Sequence, residues 1–180
     1  MIYTYTEAQS KYGSNYQIEK EMKQGNLFKI ERGLYSTTSD VSPYAVISGK
    51  YPEAILTMDS AFFIHGLTDV VPDKICLATR RNFSRIRDEG IRQYFLEEHL
   101  FEPGKTTVNY DGEDIAIYGL ERMLVELMRN SASMPLDYYK EIILSYRKRI
   151  DDMDIRSVEE YMDMFERNEY MFDILQKEVL

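Results

Sequence analysis

Three groups of side chains in this 180-residue chain have the types and spacing to do chemistry. The first is near the start. Asn15, Tyr16 and Gln17 open a short amphipathic segment, and Lys20 and Lys23 follow on the face opposite Ile18 and Met22. Asn and Gln amides can bond an adenine edge in bidentate fashion, and lysines can meet phosphates. Lys29 and Arg32 come next, in GNLFKIERGLYST (25–37), where Arg32-Gly33 reads as a hairpin tip. An Arg so placed can enter a narrow minor groove. Glu19, Glu21 and Glu31 flank these cations. They favour the competing interpretation, a solvated helix and hairpin, because carboxylates repel phosphates.

The second group is an arginine cluster. Arg80, Arg81, Arg85, Arg87 and Arg92 fall within thirteen residues, with Asn82, Phe83 and Ser84 among them. Guanidinium groups suit phosphate, RNA or an acidic partner, and Phe83 permits a stacking platform. The alternative is an exposed loop and edge strand whose charges discourage aggregation. The third group is titratable but scattered: His65, His99, the lone Cys76, and Asp151, Asp152 and Asp154. His65 closes an apolar helical stretch before Gly66, where an imidazolium would complement the helix dipole. The three aspartates are expected to cap the next helix. No set has convincing metal spacing, so no metal and no cofactor is expected.

Enzyme signatures are missing. The sequence has no Gly-rich phosphate loop, no Gly-x-Ser-x-Gly elbow and no Cys/His pairing. The acidic-x-Lys triplet of a restriction-type nuclease occurs only as Glu21-Met22-Lys23, in the small N-terminal helix. A nucleotidyltransferase needs Gly-Ser followed shortly by Asp-x-Asp on a strand. Gly13-Ser14 has no such partner, and Asp152-x-Asp154 lies far off between helices. Catalysis is not expected.

The elements that must position these groups are legible in outline. Thr6-Glu7-Ala8-Gln9 and Ser14-Asn15-Tyr16-Gln17 have the form of capping boxes. Gly13 and Gly25 suit the ends of the two helices they begin. Two short helices joined by a Gly turn make a helix-turn-helix. Strands at 26–30 and 33–37 would close a hairpin, with 2–5 as a third strand. Residues 1–37 thus read as a small winged helix-turn-helix. The middle is mixed: helices at 43–50 and 60–65, strands at 54–57, 74–79, 91–96 and 115–118, and a turn at Asp111-Gly112. Apolar residues at helical spacing predict four helices after Leu120, packed over the sheet. The fold class is α+β: a winged helix-turn-helix (1–37), then a mixed α/β domain ending in a helical cluster (38–180).

Charge divides the chain in the same spirit. Residues 1–37 carry +1, residues 38–92 are neutral, and residues 93–180 carry −10. The net −9 excludes nucleic-acid binding by the whole surface but not by a local patch. No apolar run approaches the roughly 18 residues of a spanning helix. MIYTYTEAQS has neither the basic nor the apolar region of a secretory signal, so a cytoplasmic protein without membrane partners is expected.

The order of parts resembles the AbiEi family of antitoxins and transcriptional regulators. The pieces are Gly25-x-Leu27 through Arg32-Gly33-x-Tyr35, then SAFFIHGLTDVVPDKICLAT (60–79), then IAIYGLERMLVELMRN (115–130) with Glu121-Arg122 opening a helix. The resemblance implies a cytoplasmic bacterial protein whose winged domain binds operator DNA and represses its own operon. It also implies a C-terminal domain that counters a nucleotidyltransferase-type toxin of a type IV toxin-antitoxin (abortive infection) system, without a stable complex. The DNA-binding set would be Asn15, Tyr16, Gln17, Lys20, Lys23, Lys29 and Arg32. The antitoxin surface would be Arg80, Arg81, Arg85 and Arg87, the dense positive patch outside the wing. A different class stays open: an interaction module whose acidic helical half binds a basic partner, with a vestigial wing.

Overall fold

A computed structural model describes residues 1–180. The fold is α+β, with eight strands and nine α-helices in two compact units. One unit holds Met1–Ala54 and Thr107–Ala116, and the other holds Ile55–Thr106 and Ile117–Leu180. The sequence reading placed its first boundary at residue 37. The helix at 43–50 and a later hairpin segment are counted with the first unit here.

In the first unit, strand β1 (Ile2–Thr4) leads directly into helix α1 (Tyr5–Tyr12). The expected capping box at Thr6 and Gln9 is not the one used. Thr4 is the N-cap: its Oγ1 accepts from the Glu7 amide at 3.3 Å, while Glu7 Oε2 accepts from the Thr4 amide at 2.7 Å. Pairing of β1 with β3 holds the chain extended up to Thr4, so the helix starts as soon as that pairing ends. Gly13 turns the chain with φ +86. Ser14 then caps α2 (Asn15–Lys23) by accepting from the Gln17 amide, one half of the expected capping box, with no return bond from the Gln17 side chain.

Strands β2 (Phe28–Glu31) and β3 (Leu34–Ser36) form the hairpin, and the sheet order is β1-β3-β2, all antiparallel. Gly33 takes the tip at φ +82, a conformation that disfavours any side chain. Tyr3, Ala8, Ile18, Leu27 and Tyr35 pack as one core, with Tyr12 and Met22 against it. Helix α3 (Pro43–Lys50) lies close against this sheet. A Cβ on Gly49 would stand 2.8 Å from Ile2 Cγ2 and 2.9 Å from Leu34 Cδ2.

The second unit holds β4, β5 and β6 of a mixed sheet whose order is β6-β5-β4-β8-β7. The strands of that sheet are β4 (Ile55–Leu56), β5 (Ile75–Arg80), β6 (Ile91–Leu96), β7 (Lys105–Tyr110) and β8 (Glu113–Tyr118). β4 runs antiparallel to β5 and parallel to β8, and β5 runs parallel to β6. Strand β7 and the short helix α5 (Glu98–Phe101) were not anticipated. Helix α4 spans Met58–Ile64, two residues ahead of its expected start.

The four expected C-terminal helices are α6 (Leu120–Asn130), α7 (Leu136–Arg147), α8 (Ile155–Asp163) and α9 (Glu169–Ile174). The last runs into a π-helical turn at Leu175–Val179. Helix α6 is the spine of this unit, with every residue from Arg122 to Met128 buried. No helix is long and apolar enough to cross a membrane.

Candidate nucleic-acid interface

Successive residues of a helix are turned by about 100°. Burying Ile18 and Met22 therefore turns Tyr16, Lys20 and Lys23 outward as one stripe, with Gln17 and Gln24 beside it. Tyr16 is 73% exposed, and Gln17, Lys20 and Lys23 are exposed too. Lys29 and Arg32 are exposed on the hairpin, Arg32 at its tip beside Gly33. None of these four cations takes part in an ion pair. The neighbouring carboxylates are partly spoken for: Glu31 pairs with Lys50 at 3.0 Å, and Glu21 Oε2 accepts from the Asn26 amide at 3.0 Å.

Asn15 is differently placed from its neighbours. Its Oδ1 accepts from the Tyr5 hydroxyl at 2.7 Å and lies 3.5 Å from Gln9 Nε2. Bidentate reading of adenine needs that oxygen free. Asn15 thus ties α1 to the start of α2, and Tyr16 and Gln17 are left as the open groups at that helix start.

The arginine cluster splits in two. Arg80 Nε donates to Glu98 at 3.0 Å, its NH2 meets Glu102, and its guanidinium lies 4.3 Å from the Phe101 ring centre. These contacts raise its pKa further, the Glu98 bond most of all. Arg81 pairs with Glu97. Helix α5 and the residues on either side of it, Glu97 and Glu102, thus supply three carboxylates to two arginines. Arg85 and Arg87 are exposed in the loop between β5 and β6, where they share a groove with Lys74 and Arg92. Gln93 anchors that loop, accepting from the Ile86 amide at 2.8 Å and donating to the Ser84 carbonyl at 3.2 Å.

His65 departs from expectation. It ends α4, but its Nε2 lies 2.7 Å from the Tyr118 carbonyl. Burial holds the imidazole below its ordinary pKa of 6.5, and the nearby Arg149 guanidinium pushes the same way. The neutral ring with Nε2 protonated therefore donates to Tyr118. The positive charge at this helix end comes instead from Arg149, whose NH1 donates to the His65 carbonyl at 2.7 Å and NH2 to the Gly66 carbonyl at 3.0 Å. Asp154 does cap α8, accepting from the Arg156 amide at 3.1 Å and the Ser157 hydroxyl at 2.8 Å. Those bonds lower its pKa. Cys76 is buried, which pushes its thiol pKa up. No group of three or more His, Cys, Asp or Glu is arranged to hold a metal ion.

One polar cluster escaped sequence reading. Arg122, fully buried, donates to Glu126 Oε1 from NH2 at 2.8 Å and from Nε at 3.2 Å. Arg129 donates to Glu126 Oε2 at 2.7 Å. Both guanidiniums contact the Phe165 ring, at 5.2 and 3.9 Å from its centre. The i, i+4 and i+7 spacing of Arg122, Glu126 and Arg129 was visible as a signal, but an amphipathic reading assigns such charges to solvent. Neither a protein-family model nor a curated protein sequence matches this chain.

Proposed function

We propose that the chain is a DNA-binding autoregulator of the antitoxin type, with residues 1–37 acting as a winged helix-turn-helix. One observation supports this most. The outward stripe Tyr16-Lys20-Lys23 and the hairpin cations Lys29 and Arg32 are exposed and free of ion pairs, while Glu31 is neutralised by Lys50. Gln17 and Tyr16 would meet base edges, Lys20, Lys23 and Lys29 phosphates, and Arg32 the minor groove. Asn15 would position rather than read. In the second unit Arg85 and Arg87 are the cations available for an antitoxin role against a nucleotidyltransferase-type toxin, since Arg80 and Arg81 already face carboxylates. No enzymatic activity is part of this proposal, and a cytoplasmic setting is.

Gel shifts with DNA from upstream of the chain's own gene test the reading. Specific retention that competitor DNA of unrelated sequence fails to remove is the expected result. Equal affinity for all duplexes, or none, would refute autoregulation. The interaction-module alternative gains from the same ion pairs, because they leave Arg80 and Arg81 unavailable to an anionic partner beside the −10 of residues 93–180. Under it, DNA is not retained and a basic protein partner is.

A further inference from the structure

A cavity of about 580 Å³ lies within the second unit, and Arg92 lines both it and the groove of Arg85 and Arg87. That volume is in the range of small-molecule sites. Met58 forms part of its wall and holds φ at +47, a left-handed conformation that a residue with a side chain seldom takes. Such outliers gather at ligand sites, where the surrounding structure over-determines them. Here the Met58 side chain is buried, and its sulfur is 3.9 Å from the Asn130 amide, which also lines the cavity.

The next residue brings charge. Asp59 Oδ1 accepts from the Tyr138 hydroxyl at 3.3 Å, and Oδ2 stands 3.5 Å from Arg92 NH1. A close Arg–carboxylate contact is about 2.7–2.9 Å, so this pair is open, with hydrogen-bonding capacity left on both sides. Asp59 and Arg92 keep 30% and 55% of their side chains exposed. Val70, Val71 and Pro72 line one apolar part of the wall, and Met134 and Pro135 another. Val70 and Val71 are exposed, an apolar lip with nothing over it.

We propose that this cavity binds a free α-amino acid with an apolar side chain. The ammonium would sit against Asp59, the carboxylate against Arg92, and the side chain along Val70–Pro72 and Met134–Pro135. The ligand class follows from the paired charges. A simple cation would meet Arg92 and a simple anion would meet Asp59, each a repulsive contact in a partly desolvated site. A zwitterion carries both complementary charges on one carbon. Asp73 also lines the wall. This site is independent of the DNA-binding reading.

Calorimetric titration and ligand-observed NMR on the full chain test the proposal. The probes are L-phenylalanine and L-leucine, with phenethylamine and 3-phenylpropionate as the two halves of the zwitterion. Saturable binding of an amino acid is expected, with each half weaker by at least about tenfold, as loss of a charge-assisted hydrogen bond implies. Asp59→Asn and Arg92→Gln should each weaken the amino acid by a similar factor, with circular dichroism unchanged because both side chains are partly exposed. Three results would overturn the proposal. One is no saturable binding of either amino acid up to about 10 mM, an affinity too weak to matter. Another is phenethylamine or 3-phenylpropionate binding as tightly as phenylalanine. The last is unchanged affinity in both variants.

Discussion

Replacing Lys20, Lys23 and Arg32 together by Ala should flatten the salt dependence of DNA binding, by an amount that the structure fixes. Four exposed cations without ion pairs, Lys20, Lys23, Lys29 and Arg32, are the candidates for phosphate contact. Each contact contributes about −0.9 to the slope of log K against log salt, so the intact chain should show roughly −3.6 per protomer. Raising salt from about 50 to about 200 mM would then cost about 150-fold in affinity. With only Lys29 remaining, the slope falls to roughly −0.9 and the same change costs about three- to fourfold. Fluorescence anisotropy with a labelled duplex, at four salt concentrations, measures both slopes. A dimer would double the slopes and leave their ratio the same. The three substitutions fall on exposed positions, so stability should move little. A variant whose slope equals that of the intact chain would refute the assignment of phosphates to this face, whatever its absolute affinity.

Three further outcomes are expected. Glu126→Gln removes the charge that neutralises the buried Arg122 and leaves it only neutral acceptors, the amide oxygen of the new side chain and the Pro103 carbonyl at 3.4 Å. Breaking a buried pair costs about 3–5 kcal/mol, a fall of roughly 10 °C in Tm for a chain of this length, and calorimetry showing under about 2 °C would contradict it. Arg122→Met combined with Glu126→Leu should recover most of that loss, because two apolar groups need no pairing. His65 has a folded-state pKa below 6.5, so the unfolded chain binds the extra proton first as pH falls. Its contribution to stability is complete above about pH 7 and is lost as pH drops below 6.5 toward the folded pKa. His65→Gln should flatten that limb in urea titrations at pH 7.5, 6.5 and 5.5, and an unaltered limb would assign it to other groups. In cells, Arg85→Ala with Arg87→Ala should abolish toxin neutralisation while operator binding persists, and Arg80→Ala with Arg81→Ala should do less. Full rescue by the first pair would return the loop to a solvated role.

Some of this was readable from sequence for identifiable reasons. Ser14 and Gly13 define the start of α2 because a side-chain oxygen and a positive φ have few substitutes. The stripes of α6, α7 and α8 followed from apolar spacing, and Asp111-Gly112 marked its hairpin through two positive-φ positions. Strand β7, KTTVNY, was missed because it is mostly exposed and carries little apolar pattern. Thr4 was passed over as a cap because it sits in a strand until one residue before the helix. Distances between remote residues were out of reach. Nothing in the sequence says that Asn15 bonds Tyr5, that Glu97, Glu98 and Glu102 answer Arg80 and Arg81, or that Asp59 meets Arg92. The buried charges of α6 defied the rule that sends such residues to water.

The first unit is discontinuous, and that bears on the order in which a ribosome releases it. The backbone amide of Ile2 donates to Glu113 Oε2 at 3.3 Å, a contact between residues 111 apart in the chain. At a synthesis rate of about 5–20 residues per second, β1 waits on the order of ten seconds for its partner to be made. During that interval β1 has its pairing with β3 but not the hairpin segment 107–116. Helix α2 depends on a core completed within residues 3–35, so it can form early. An emerging chain would therefore present its cations before the unit that carries them is finished. A fragment ending after Ala54 should reproduce that nascent state: α2 formed, and β1 more open to hydrogen exchange than in the full chain.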